Sequence, residues 1–273
     1  MAESDKLRAL FEEQFAGRCP RCQGSRWVVE DGVARRCDCF ERELAGHRRD
    51  FAAIPPSYQR CTIDRFTPQN KNQQDAKLFV EKFIKNFETP EVWGRGILFR
   101  GPVGVGKTHL AVAVLQALIE RGFTGKFYNF VHLIEEIKKS FEPDAEQVEA
   151  RLFHHLRQCQ VVVLDELGAT RPSEFVFVKL YDIINSCFDR KISVLFTTNY
   201  GDRLETAPRR QAAAADYDSI AVVTERSAPP PAAAGYILAE RVTQRLYSRI
   251  MERCTDVILD GPDFRLRHKQ AAR

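Results

Sequence analysis

The fold of this chain can be inferred from one glycine-rich segment, Gly101-Pro102-Val103-Gly104-Val105-Gly106-Lys107-Thr108. It matches the pattern G-x-x-x-x-G-K-[ST] at every position, follows the apolar segment 96–99 and opens the helical segment THLAVAVLQALIERG. Its glycines let backbone N–H groups turn inward around phosphate oxygens, and the helix N-terminus adds partial positive charge. The sequence therefore predicts an ATP-binding phosphate loop. A glycine-rich turn that matches by chance is the alternative, and the flanking strand and helix argue against it.

Side chains of this loop have distinct predicted roles. Lys107 should reach the β- and γ-phosphates of ATP, and the Thr108 hydroxyl should ligate Mg²⁺. The predicted cofactor-binding set is Gly101, Pro102, Val103, Gly104, Val105, Gly106, Lys107, Thr108 and His109.

Two acids end a second apolar strand, VVVLD at 161–165. Asp165 should face the phosphate loop and hold Mg²⁺, and Glu166 is the predicted general base for the attacking water. Two solvated acids at the start of a loop are the alternative. Asn199 ends a third strand, ISVLFTT at 192–198, where it can hydrogen-bond the water or the γ-phosphate, or serve as a turn former.

Apolar runs alternate with helical segments from about residue 95 onward. Such runs, separated by helices, predict parallel strands buried on both faces, and hence a three-layer α/β domain. A helix is expected at 3–16, another at 75–88, and one continuous helix over LAERVTQRLYSRIMERC at 238–254, followed by a strand at 255–260. Residues 205–235, rich in Ala and Pro, are predicted to be an insertion with a short strand at Ser219–Val223.

Composition favours a cytoplasmic protein. The 273 residues include eight cysteines and carry a formal net charge of +4, a mild basic excess that is compatible with nucleic acid but not diagnostic of it. No stretch reaches the ~18 apolar residues of a membrane span, and the N-terminus lacks the apolar region of a secretory signal. We therefore expect reduced cysteines and no membrane partner.

Four cysteines cluster near the N-terminus, as C-x2-C and C-x-C around a predicted hairpin that turns at Asp31-Gly32. Four thiolates brought together in this way suit a structural, tetrahedral Zn²⁺. A disulfide or redox pair, or unrelated core cysteines, are the alternatives. The predicted zinc ligands are Cys19, Cys22, Cys37 and Cys39.

With these motifs the chain resembles AAA+ ATPases, and more closely the DnaC/DnaI helicase loaders and the IstB transposition helper ATPases. The resemblance rests on GPVGVGKTHLAVAV, VVVLDELG, LYDIINSCFDRKISVLFTTNY, ERVTQRLYSRIMERCTDVILDGPDFR and IPPSYQRCTIDRF. It covers roughly residues 52–265. It implies a parallel sheet of order 5-1-4-3-2 and no separate lid domain.

The resemblance also implies an arginine finger supplied by a neighbouring subunit. Arg249 occupies the matching position, and Arg245 is the second candidate; Arg241 is expected on the same helix face. A solvated arginine stripe is the alternative. Three features depart from the family pattern: Cys187-Phe188 stands where an Arg-aromatic pair is frequent, Glu166 stands where close relatives often have Asp, and the 205–235 insertion precedes the finger helix.

These observations predict three regions: an N-terminal helix and zinc module at 1–50, a linker at 51–74, and an AAA+ ATPase core at 75–273. The resemblance implies an ATP-hydrolysing loader that grips a DnaB-like replicative helicase, assembles with itself on binding ATP and contacts single-stranded DNA. Rival hypotheses are a transposition helper ATPase and a nucleotide-gated adaptor with little hydrolysis. A metabolic kinase is disfavoured because no substrate-binding lid is evident.

Overall fold

The computed structural model describes residues 19–139, 146–201 and 237–265. These form two compact units, which divide between Asp50 and Phe51. The predicted helix at 3–16, the insertion at 205–235 and its strand at Ser219–Val223 lie outside the described residues.

The first unit contains the predicted hairpin. Strands β1 (Trp27–Glu30) and β2 (Val33–Arg36) pair antiparallel, with Trp27 opposite Arg36. Asp31 and Gly32 join them with φ of 51° and 77°, the left-handed backbone that a two-residue hairpin turn requires. The predicted turn is therefore confirmed. Helix α1 (Asp38–Ala52) follows.

The second unit is built on one parallel sheet. Its strands are β3 (Gly96–Arg100), β4 (Gly125–Asn129), β5 (Val161–Asp165), β6 (Ser193–Thr198) and β7 (Cys254–Ile258). They are arranged β4-β5-β6-β3-β7, and every neighbouring pair runs parallel. Counted from the strand before the phosphate loop, this is the order 5-1-4-3-2, so the prediction is confirmed.

Helices cover both faces of this sheet. They are α2 (Lys71–Lys85), α3 (Lys107–Glu120), α4 (Phe130–Lys139), α5 (Glu146–Arg157), α6 (Glu174–Asp189), α7 (Leu238–Val242) and α8 (Gln244–Arg253). Alternate strand residues enter different cores: Ile97 and Phe99 pack with α2 and α3, whereas Leu98 packs with the helices of the other face. This alternation produces the predicted three layers.

Two predicted helices have different boundaries in the structure. The continuous helix over 238–254 breaks at Thr243, whose φ of 70° is incompatible with a right-handed helix, and the Thr243 hydroxyl caps α8 by accepting from Leu246 N at 3.4 Å. Arg241 consequently lies on α7, away from the helix that carries Arg245 and Arg249. Helix α2 begins four residues earlier than predicted because the Asn70 side chain caps it, accepting from Gln73 N at 2.8 Å.

The described residues after β7, through Arg265, belong to the same unit. Within the described ranges, no helix has the length and apolar character needed to cross a membrane.

Candidate active site

The phosphate loop joins β3 to α3 at the carboxyl edge of the sheet. Gly104 and Gly106 have φ of 80° and 100°, which only glycine adopts readily. A Cβ at Gly106 would lie 2.6 Å from Phe66 Cε2, so this glycine also allows a close approach by the preceding segment. Lys107 begins α3, and its Nζ curls back to donate to Gly101 O at 2.8 Å and to Pro102 O.

The Lys107 ammonium lies in a desolvated setting. The residue is only 7% exposed, and burial lowers the pKa of Lys107 to about 8, although the nearby Asp165 carboxylate opposes this shift. An anionic phosphate placed at the loop would therefore be attracted strongly, because it would restore a favourable environment for the charged ammonium.

Three oxygen-bearing side chains meet beside the loop. Thr108 Oγ1 donates to Asp165 Oδ1 at 2.8 Å, and Thr197 Oγ1 donates to the same oxygen at 2.6 Å. Asp165 is 1% exposed; burial raises the pKa of Asp165, while the two hydroxyl donors act to lower it. The oxygens of Thr108 and Asp165 are hard ligands of the type Mg²⁺ prefers, so this donor set fits magnesium.

Glu166 occupies a tight turn directly after Asp165. Its φ is 61°, and its N–H donates to Thr197 Oγ1 at 3.0 Å, so Thr197 contacts both acids. The exposed Glu166 carboxylate accepts from Asn129 Nδ2 at 3.1 Å, at the end of the neighbouring strand β4. Sequence reasoning missed Asn129; the signal available was its position at the carboxyl end of a parallel strand.

A cavity of 590 Å³ opens over these groups. It brings together Lys107, Thr108, His109, Glu166 and Asn199, which the sequence analysis selected separately. Its volume falls in the range typical of sites for small molecules and cofactors. The remaining lining residues are Tyr58, Cys61, Arg65, Phe66, Thr67, Gln69, Val103, Gly104, Gly106, Thr197, Thr198, Phe264 and Arg265.

The segment before the core, residues 53–70 between α1 and α2, forms one wall of this cavity. His109 Nε2 donates to Thr62 O at 2.8 Å, and Gln116 Nε2 donates to Cys61 O at 2.8 Å. These bonds hold the segment against α3. The His109 ring nitrogen is therefore occupied by this segment, an arrangement that local sequence patterns do not encode.

The C-terminal segment forms another wall. Phe264 N donates to Gly104 O at 3.1 Å, and a Cβ at Gly104 would lie 1.9 Å from Asp263 Oδ1. This close packing places Arg265 on the cavity, where it is a further cation beside Lys107 and Arg65. No local pattern in the sequence indicates this position of Arg265, because it depends on the packing of Asp263 and Phe264 against the phosphate loop.

Arg249 lies elsewhere on α8. Its guanidinium donates to Asn185 Oδ1 at 3.0 Å and to Glu252 Oε2 at 2.7 Å, and lies 3.5 Å from Asp189 Oδ1. The described residues that line the cavity do not include it. Arg245 stacks over the Tyr181 ring at 4.2 Å. Neither arginine is among the described residues that line the phosphate-loop cavity of its own chain.

Arg241 acts within the chain. Its Nε donates to Gly168 O at 2.8 Å, and a terminal nitrogen donates to Ala169 O at 3.0 Å. Ala169 N in turn donates to Glu166 O at 3.0 Å, so Arg241 supports the turn that presents Glu166.

The four N-terminal cysteines converge in the first unit. Their Sγ atoms all lie within 4.8 Å of one another, with Cys19–Cys37 at 3.7 Å and Cys22–Cys39 at 3.4 Å. Four sulfurs around a tetrahedral Zn²⁺ at ~2.3 Å would be ~3.8 Å apart. All four are free thiols, and backbone N–H groups of Cys22 and Arg21 lower the pKa of Cys19 to about 6. The geometry and donor type fit zinc.

The family described as "IstB-like ATP binding protein" matches residues 51–203, more than half of the chain. The "Replicative helicase loader DnaC" of Escherichia coli (strain K12) is 26% identical over 171 residues. That similarity covers 61% of this chain and 66% of DnaC, so the chain spans just under two thirds of that relative's length.

Solved structures show the same architecture. The crystal structure of the DnaC helicase loader is similar with a TM-score of 0.56 and 28% identity, covering 76% of this chain and 100% of that one. The crystal structure of DnaI has a TM-score of 0.55 at 20% identity, covering 77% of this chain and 94% of that one. At this lower identity the DnaI likeness shows the fold alone.

Proposed function

Because the chain belongs to the IstB-like ATP binding protein family, we propose that it is an AAA+ ATPase that uses ATP to load a replicative helicase onto DNA. The observation that carries the ATPase proposal is the convergence of Lys107, Thr108, Glu166 and Asn199 on one cavity, with Asp165 bonded to Thr108. The helicase is proposed because the related DnaC is named a replicative helicase loader.

Nucleotide binding is assigned to the phosphate loop. Backbone N–H groups of residues 103–106 and the Lys107 ammonium hold the β- and γ-phosphates, and Arg265 adds positive charge from the C-terminal segment. Thr108 and Asp165 would hold Mg²⁺. When bound, magnesium neutralises charge on the phosphate oxygens.

Hydrolysis is assigned to Glu166. Its exposed carboxylate lines the same cavity as Lys107 and Thr108, where it would orient a water and accept its proton as the water oxygen attacks the γ-phosphorus. The bond from the γ-phosphorus to the bridging oxygen breaks, which leaves ADP and phosphate. Asn199 lines the same cavity and would hydrogen-bond the water or the γ-phosphate.

Assembly is proposed to complete the site. Arg249 lies outside the cavity of its own chain, so we assign it to the cavity of a neighbouring subunit when ATP drives self-assembly. A cation supplied in trans can raise the turnover of nucleotide hydrolysis by ~10³–10⁵-fold. Single-stranded DNA is the proposed nucleic-acid partner.

The N-terminal unit is proposed to bind zinc through Cys19, Cys22, Cys37 and Cys39 and to grip the helicase. Four thiolates leave a zinc ion no open position, so the metal would be structural.

A transposition helper is the second candidate, because the sequence resembles the IstB helper ATPases as well as the helicase loaders. The two candidate functions are distinguished by incubating the purified protein, ATP and single-stranded DNA with the replicative helicase or the transposase of the same genome. The loader proposal expects ATP-dependent co-elution with the helicase and ATP-dependent transfer of the helicase to DNA. Co-elution with the transposase alone would contradict it. An adaptor with little hydrolysis would bind a partner without releasing phosphate.

A further inference from the structure

A second cavity, of 520 Å³, lies along the edge strand β4. The segment before the core, strand β4 and helices α4 and α5 enclose it. Tyr58 borders both cavities, but the phosphate loop does not line this second one. Its volume is sufficient for a small organic molecule.

One side chain in this cavity is unsatisfied. Tyr128 is 8% exposed, and its hydroxyl has no hydrogen-bond partner among the described residues. A buried hydroxyl without a partner is costly and therefore rare in native structures. Burial also raises the pKa of Tyr128, so the hydroxyl stays protonated and can donate to a ligand.

Positive charge lines the same cavity. Lys126 is on the same side of β4 as Tyr128, with its Nζ 5.8 Å from the Tyr128 ring centroid. Lys126 Nζ donates to Phe51 O at 3.0 Å, which uses one of its three N–H bonds. Arg151 also lines the cavity, and Glu136 is the one acid among its described lining residues.

His155 lies close to the same positive charges. His155 lines the cavity, and the pKa of His155 is lowered first by burial and then by the positive charges of Lys126, His154 and Arg151. Apolar and aromatic side chains, among them Phe127 and Leu152, complete the lining. The cavity thus combines cations, a protonated donor and an apolar wall.

We propose that this cavity is a second ligand site, which binds a small organic anion carrying one phosphate or carboxylate on an aromatic or apolar body. Lys126 and Arg151 hold the anionic group, the Tyr128 hydroxyl donates to it, and Phe127 and Leu152 contact the body. This site is separate from the phosphate loop and does not depend on the proposed loader function.

Phenyl phosphate is a suitable probe, with inorganic phosphate and phenol as its two halves. Binding is measured by calorimetry on the full chain with the phosphate loop already saturated by a non-hydrolysable ATP analogue and Mg²⁺. We expect saturable binding of about one phenyl phosphate per chain, weaker binding of each half, and a rise in the His155 pKa by NMR. Binding that vanishes when the ATP analogue is present would assign the anion to the phosphate loop and overturn the proposal.

Four variants sharpen the test. Lys126→Met and Tyr128→Phe should each weaken phenyl phosphate binding about tenfold, since each removes a hydrogen bond to a charged group. Glu136→Gln should tighten it, and Lys139→Met, an exposed change near the end of α4, should leave it unchanged. Because the Tyr128 hydroxyl is unpaired, Tyr128→Phe should melt at the wild-type temperature or above. Unchanged affinity in both Lys126→Met and Tyr128→Phe would refute the site.

Discussion

Thr197 Oγ1 donates to Asp165 Oδ1 across 2.6 Å and accepts from the backbone N–H of Glu166 at 3.0 Å. One buried hydroxyl on β6 therefore holds both acids at the end of β5. The two acids depend on a neighbouring strand for their orientation, and Thr197 itself is 1% exposed.

Thr197→Val should keep the shape of this side chain and remove both hydrogen bonds. A bond to a charged group contributes ~1.5–3 kcal/mol, so we expect phosphate release to fall about ten- to hundredfold. The Mg²⁺ concentration for half-maximal turnover should also rise, because Asp165 loses a donor that favours its charged form. Steady-state assays across Mg²⁺ concentrations check this. Thr197→Ser, which keeps the hydroxyl, should stay near wild type; equal losses in both variants would point to packing instead.

ATP affinity should depend on pH through Lys107. Burial lowers the Lys107 pKa from 10.5 to about 8 in the nucleotide-free protein, whereas bound phosphates raise it again. Binding therefore takes up a proton above pH 8, and affinity should fall from there toward tenfold per pH unit. Titrations between pH 7 and 9.5 measure it.

The matched control for this titration is Lys107→Arg, which stays charged at these pH values and should lose the dependence. In the nucleotide-free protein, the contribution of Lys107 to the free energy of unfolding should change with pH in the opposite direction to the ATP affinity. Between pH 8 and 10.5 the unfolded chain binds more protons at Lys107 than the folded chain, so stability should rise with pH. A pH-independent ATP affinity in the wild type would contradict the placement of Lys107 at the phosphates.

Arg249 should act between subunits. Arg249→Ala is expected to bind ATP normally but to lose the rise in turnover per chain with protein concentration and with single-stranded DNA. Mixing Arg249→Ala with Lys107→Ala should restore part of the turnover, because the second chain supplies Arg249 to the intact phosphate loop of the first. Arg245→Ala serves as the matched control. Undiminished, concentration-dependent turnover in Arg249→Ala would move the assignment to Arg245.

Only the first unit should need zinc in order to fold. Metal analysis is expected to find about one zinc per chain, and Cys37→Ser should lose the metal and the order of residues 19–50, because so small a unit lacks a core of its own. Hydrogen exchange can follow both units separately, and ATP binding should persist. Cys61→Ser, outside the cluster, should keep its zinc. A metal-free protein with an ordered first unit would refute this assignment.

Much of the architecture could be predicted because it has local signals. The apolar runs of β3, β5 and β6 mark strands buried on both faces, and the glycines and Lys107 mark the loop between β3 and α3. The sheet order followed from family resemblance. Both the hairpin at Asp31-Gly32 and the grouping of four cysteines also have short-range patterns.

What escaped prediction depends on contacts between distant residues. The periodicity of apolar residues favours a continuous helix through Thr243. The helix instead breaks there, and the Thr243 hydroxyl caps the start of α8. The hydrogen bond from His109 to Thr62 and the packing of Asp263 against Gly104 link segments 47 to 159 residues apart. No local pattern specifies such pairs, so the roles of the preceding segment and of Arg265 required the structure.

Glu166→Gln is the sharpest test of the proposal that this chain hydrolyses ATP with Glu166 as general base. The substitution removes the base and keeps the size of the side chain and the backbone turn. Nucleotide titration and phosphate release are measured on the same preparation, with Glu174→Gln, an exposed acid at the start of α6, as control. We predict wild-type affinity for Mg·ATP and a fall in phosphate release of about 10²-fold or more in Glu166→Gln alone. Phosphate release at the wild-type rate by Glu166→Gln would contradict the account.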